Sequence, residues 1–147
     1  MLAAPSLGYS LLAPMLIVLA GAVIGVLVEA FVGKAYRTAI QVTLSIGILL
    51  LSLQQLWRIK DLSSTTAAVG SVTIDKAGIF LQATILLLAV AAVLLIADQD
   101  NFVAQASALP GSPEERTALQ EKSAQTEIFP LFLFAVAGMM LFTVASD

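Results

Sequence analysis

Four long apolar runs, almost bare of charge, constrain this chain more than any other feature. They cover residues 11–32, 38–57, 77–97 and 128–145, and Glu29 is the one charged residue inside them. Each run is about long enough to cross a hydrocarbon core of roughly 30 Å as a helix. Backbone polar groups in lipid must be satisfied within the segment, so continuous apolar runs read as helices. A β-barrel would instead show alternation. Composition agrees: 12% of residues are charged and 59% hydrophobic, against about 25% charged in a soluble domain. The expected fold class is an all-α integral membrane protein with four transmembrane helices in a single membrane domain, residues 1–147. A cleaved leader is not expected, because the first ten residues carry no Lys or Arg and the first run exceeds a signal core.

The chain has no Cys and no His. That excludes disulfides, thiolate or imidazole metal sites, and Cys- or His-based nucleophiles and bases. No nucleotide loop, catalytic triad or carboxylate cage is visible, so catalytic, cofactor and metal residues are all expected to be none. The net charge of −3 shows no basic surplus for nucleic acid.

The connections differ in kind. Residues 33–37 predict a tight helical hairpin, and 58–76 a polar loop rich in Ser and Thr. Residues 98–127 form an acidic extramembrane loop with six acids and two bases. Within it Ser112, Pro113 and Glu115 have the spacing of a capping box, which predicts a short surface helix over 113–124. Thr126 is placed to cap the fourth span, with Pro130 one turn in. Lys34, Arg37, Arg116 and Lys122 fall on one side, Arg58, Lys60 and Lys76 on the other. Charge therefore leaves orientation open.

Polar residues in lipid helices usually face protein. Gln41, Ser45, Ile48, Ser52 and Gln55 share one stripe of the second span. The stripe reads either as a hydrated proton or substrate path or as ordinary interhelical hydrogen bonding. Gln and Ser do not titrate, which favours the second. Gly21 and Gly25 form a G-x-x-x-G pair that predicts close helix packing, and Glu29 continues their stripe. Gly78, Gln82, Ala89 and Ala92 in the third span, and Ala135, Gly138 and Ala145 in the fourth, are further small or polar faces expected to meet neighbours. Glu29 is a candidate proton carrier, but it lies about 11 Å from the middle of its run. That is near the headgroups, where it could anchor the helix or pair with Lys34. Glu127, at the start of the fourth span, suits a helix N-terminus. The candidates for a proton path or coupling are thus Glu29, Gln41, Ser45, Ser52, Gln55 and Glu127.

The fourth span carries a more specific pattern. Thr126-Glu127-Ile128-Phe129-Pro130-Leu131-Phe132-Leu133-Phe134-Ala135, then Gly138-Met139-Met140-Leu141 and Ala145-Ser146-Asp147, resembles subunit N of bacterial proton-pumping NADH–quinone oxidoreductase, respiratory complex I. Asp75 and Phe80 ahead of a Leu-rich run fit the same family, as does Pro14-Met15-Leu16-Ile17 in the first span. The resemblance implies the N-terminal part of an antiporter-like membrane-arm subunit of about fourteen helices, whose pumping residues would lie beyond Asp147. It implies coupling of electron transfer from NADH to quinone with proton translocation, this stretch supplying packing and subunit contacts. NADH, FMN, iron–sulfur clusters and quinone would be held by other subunits, and none on this chain. Partners would be other membrane-arm subunits, in a hetero-oligomer, and lipids. The location would be the bacterial plasma membrane, multi-pass, with the N-terminus outside. The rivals are a subunit of a related cation/proton antiporter, a non-catalytic anchor, and a self-contained four-helix exporter of small molecules driven by protons. The last needs an acid nearer the middle of its first span than Glu29.

Overall fold

A computed structural model of the chain describes residues 9–59, 65–67, 72–98, 113 and 125–145. Helix α1 is Tyr9–Phe31, α2 Lys34–Ile59 and α3 Lys76–Ala97, and a 3-10 turn at Gln125–Glu127 leads into α4, Ile128–Phe142. Strands β1, Thr65–Ala67, and β2, Val72–Ile74, pair antiparallel between α2 and α3, with Thr66 opposite Thr73. The rest of the acidic loop, with the expected helix over 113–124, lies outside the described residues apart from Asp98, Pro113 and Gln125–Glu127.

The helices form an up-down-up-down bundle. α1 packs against α2 and α4, and α3 against the same two. Each buries one stripe at three- and four-residue spacing, as one face of a helix requires. In α1 the stripe is Leu11, Met15, Val18 and Ala22; in α3 it is Gln82, Leu86, Ala89 and Val93. In α4 it is Phe129, Leu133, Val136 and Met140. The outward faces are apolar too: Leu88 is 65% exposed and Leu95 60%. Helices that are apolar all round suit lipid or further helices and would be a liability in water. Three of the four are long and apolar enough to cross a membrane, and the chain is an all-helical membrane protein apart from the small β hairpin.

Several expectations change. The loop over 58–76 contains paired strands built from Thr, Val and Ile, residues whose branched side chains favour extended backbone. The hairpin turn is tighter than 33–37, because α2 already begins at Lys34 and the Tyr36 amide bonds to the Gly33 carbonyl at 3.2 Å. The fourth helix stops at Phe142, short of 145. Its 15 residues span about 22 Å. There the Val144 amide turns back to the Leu141 carbonyl at 3.2 Å, and the Thr143 hydroxyl donates to the Met140 carbonyl at 2.8 Å. These i−3 contacts tighten the last turn and close the helix. Ala135 and Gly138, expected to face a neighbouring helix, point outward and are exposed, as is Ala145. The bulky residues of α4 occupy the interior instead.

α3 begins on a cap that sequence reasoning used only as a family marker. The Asp75 carboxylate accepts from the Gly78 amide at 2.6 Å, satisfying one of the first-turn donors. A side chain at Gly78 would meet the Val144 side chain at 3.1 Å. The end of α4 therefore lies beside the start of α3.

Candidate functional site

The most polar place in the bundle is where α1 ends, α2 begins and α4 is entered. Glu29, in the last turns of α1, points across the hairpin. Its carboxylate receives the Arg37 Nη1 donor at 2.7 Å. The Gln41 amide donates to its other oxygen at 3.2 Å, and the Thr126 hydroxyl lies 2.9 and 3.0 Å from the two oxygens. Three donors from two further segments thus meet one acid. The pair is only partly shielded, with Arg37 18% and Glu29 15% exposed.

Among the described residues the charged partner of Glu29 is Arg37; the side chain of Lys34, the cation expected there, lies outside them. Geometry suits Arg37 to the place. Arg37 sits about one turn into α2, and its fork also donates to the Val32 carbonyl through Nε at 3.1 Å and Nη2 at 2.9 Å. One guanidinium therefore caps the end of α1 and neutralises its carboxylate, which the single ammonium of a lysine does not match in shape. Hydrogen bonds to a charged group of this kind contribute about 1.5–3 kcal/mol each when buried, and less where solvent reaches them.

Thr126 turns its hydroxyl to Glu29. The N-cap position of α4 belongs to Glu127, which is exposed and makes no side-chain capping bond. Pro130 is buried in the first turn of α4, where its missing N–H is no loss. A Cβ on Gly25 would lie 3.1 Å from the Pro130 Cβ and 3.3 Å from Gln41 Oε1. A Cβ on Gly21 would fall 2.5 Å from Ile48. The G-x-x-x-G pair thus lets α1 approach α2 at Gly21, and both α2 and α4 at Gly25.

The stripe on α2 divides. Gln41, Ser45 and Ser52 are fully buried, whereas Ile48 and Gln55 are half-buried. Gln41 Nε2 also donates to the Gly25 carbonyl at 2.8 Å. Ser52 donates to the Pro14 carbonyl at 2.8 Å, near the other end of α1. Between Ser45 and Ser52 stands Leu49, 0% exposed. The polar residues therefore form two separate groups, and of the stripe only Gln41 bonds Glu29, with Ser45 one turn further along α2. Sequence reasoning missed Arg37 as the partner of Glu29. The available signal was an arginine eight residues after a span-end acid, across a two-residue turn. It also missed the buried contact of Gln82, whose amide donates to the Met140 carbonyl at 3.2 Å. Among the described residues no group of three or more acids comes together as a metal site.

Chemically, the junction ties three helices by charge-assisted bonds. No protein-family model matches the chain. Individual relatives do. The chain is 46% identical to NADH-quinone oxidoreductase subunit N of Acidothermus cellulolyticus over 149 residues, covering 98% of this chain and 29% of that protein. For the subunit N of Thermobifida fusca the identity is 44% over 153 residues, covering 98% and 28%. For that of Mycobacterium tuberculosis strain H37Rv it is 39% over 169 residues, covering 99% and 32%. Over nearly its whole length the chain is thus homologous to NADH-quinone oxidoreductase subunit N, and it spans less than a third of the length of those relatives.

Proposed function

We propose that this chain forms part of a membrane-arm subunit of a proton-translocating NADH–quinone oxidoreductase, and that its four helices hold the arm together without carrying protons. The observation behind the structural role is the saturation of Glu29. Its carboxylate meets Arg37, Gln41 and Thr126 at 2.7–3.2 Å, an arrangement suited to a fixed joint. A proton carrier has to change partners as it loads and unloads. The homology supports the wider setting.

In this reading NADH, FMN, iron–sulfur clusters and quinone are bound by other subunits. The partners are further membrane-arm subunits and the lipids of a bacterial plasma membrane, with the N-terminus outside. The apolar outer faces suit such contacts. A groove of about 400 Å³ between α1 and α4, lined by Leu12, Met15, Leu16, Phe134, Ala137 and Leu141, has the character of a seat for another helix or an acyl chain.

The test is Glu29→Gln in the assembled complex. Quinone-coupled proton pumping per complex is expected to stay within about twofold of wild type, roughly 0.4 kcal/mol on the rate scale, while the amount of assembled complex falls. Loss of most pumping at normal assembly would make Glu29 a carrier and overturn the structural role.

A further inference from the structure

We infer that a single structural water molecule is bound inside the bundle beside the polar junction, bridging the Gln41 side-chain carbonyl and the Ser45 hydroxyl. Both side chains are 0% exposed. Gln41 Oε1 and Ser45 Oγ are buried and make no hydrogen bond among the described residues. A buried acceptor left unmade costs about 1–3 kcal/mol, and native interiors seldom leave one so.

The orientation of the Gln41 amide is fixed by its surroundings. Nε2 faces two acceptors, the Gly25 carbonyl at 2.8 Å and Glu29 Oε2 at 3.2 Å. A flipped amide would set oxygen against both. Oε1 therefore needs a donor from elsewhere. The donors nearby among the described residues are engaged elsewhere: Arg37 on Glu29 and the Val32 carbonyl, Thr126 on Glu29. Ser45 follows Gln41 by one helical turn, which sets their Cβ atoms about 5–6 Å apart on one face. The two side chains do not bond directly. One water with two bonds of about 2.8 Å joins two such oxygens without direct contact between them. It donates one hydrogen to Oε1 and engages the Ser45 hydroxyl with its other hydrogen or a lone pair, reaching the two polar partners a buried water requires.

The site is closed toward the rest of the bundle. Leu49, one turn further, is fully buried, and the Ser52 hydroxyl is already given to the Pro14 carbonyl. The water is therefore a fixed part of the α2 interface and not the first link of a chain. This inference stands independently of the proposed function.

The experiment is a high-resolution structure of the intact complex, paired with thermal denaturation of its Ser45→Ala variant. The expected result is an isolated peak within about 2.6–3.2 Å of both Gln41 Oε1 and Ser45 Oγ, with none past Leu49. The variant is expected to show a lowered Tm, because it leaves the Gln41-bound water short of a partner. Absence of the peak overturns the inference. So does density continuous with a side chain at that place, a file of peaks running past Leu49, or a Tm that is unchanged or raised.

Discussion

Each end of the bundle is closed by a buried glutamine, and the two are built alike yet placed very differently. Gln41, 0% exposed, and Gln82, 1% exposed, each donate through Nε2 to a main-chain carbonyl of a neighbouring helix, Gly25 in one case and Met140 in the other. Each leaves its Oε1 without a partner among the described residues. The difference lies in what surrounds the amide. Gln41 also reaches Glu29 and so joins a network held by Arg37 and Thr126. Gln82 meets a helix end whose carbonyl the Thr143 hydroxyl already serves at 2.8 Å. One end is a charged joint of three segments, the other a neutral seam of two. The same residue type is thus expected to stabilise more where it reaches a charge, since charge-assisted bonds are roughly twice as strong as neutral ones.

The comparison breaks most readily at Arg37. Arg37→Leu leaves the Glu29 carboxylate without its cation and the Val32 carbonyl without its cap. About 2–4 kcal/mol of stability should be lost, somewhat below the cost of splitting a fully buried pair because solvent reaches both groups. A lowered midpoint in thermal denaturation of the detergent-extracted protein would register it, and a shift within error would mean that solvent alone can replace the guanidinium. Next in size comes the packing beneath the joint. Gly25→Ala places a methyl 3.1 Å from the Pro130 Cβ, and a proline ring yields little. Overpacking of about 1–3 kcal/mol is expected, partly offset by the roughly 1 kcal/mol gained in helix propensity. The same denaturation measurement, with α4 crosslinked to α1 through engineered cysteines, would show whether the loss comes from parting those two helices. The smallest effect belongs to the neutral end. Gln82→Met keeps shape and removes an amide that is only half satisfied, so stability should change by less than about 1 kcal/mol. A loss greater than 2 kcal/mol on urea unfolding would show that the Gln82 carbonyl has a partner and that the two ends are more alike than their geometry suggests.

How much of this was legible in the sequence depends on the range of the interaction. Helices α1 to α3 are written in local hydropathy, and their ends fall within two residues of the expected bounds, except that α2 begins four residues early, at Lys34. The packing role of Gly21 and Gly25 was legible too, because small residues four apart mark a close approach whichever neighbour supplies it. The candidate site was legible by half. Glu29 and Gln41 stood out as polar groups in apolar runs, but Arg37 and Thr126 fall outside those runs, in stretches that read as connections, where charge and hydroxyls are ordinary. Their importance comes from a turn of two residues and from a contact 97 positions away in the chain. The face of α4 was misjudged for a related reason. Small residues at Ala135 and Gly138 suggested a contact stripe, yet the buried stripe is Phe129, Leu133, Val136 and Met140. Periodicity allows both faces, and only the neighbours choose between them.

The sequence by itself determined that the chain is a set of apolar, membrane-type helices that carry neither a thiol nor an imidazole, because hydropathy and composition are properties of the residues and need no fold. It also carried the likeness to NADH-quinone oxidoreductase subunit N in the residues of its last span. The tertiary structure alone decided which donors answer Glu29, where the polar stripe of α2 is cut by Leu49, and why α4 ends at Phe142. The first depends on distances between different segments, up to 97 positions apart in the chain, and the others on which residues the packing buries and how the last turn closes; a carboxylate or a carbonyl is satisfied by whatever donor is brought within about 3 Å.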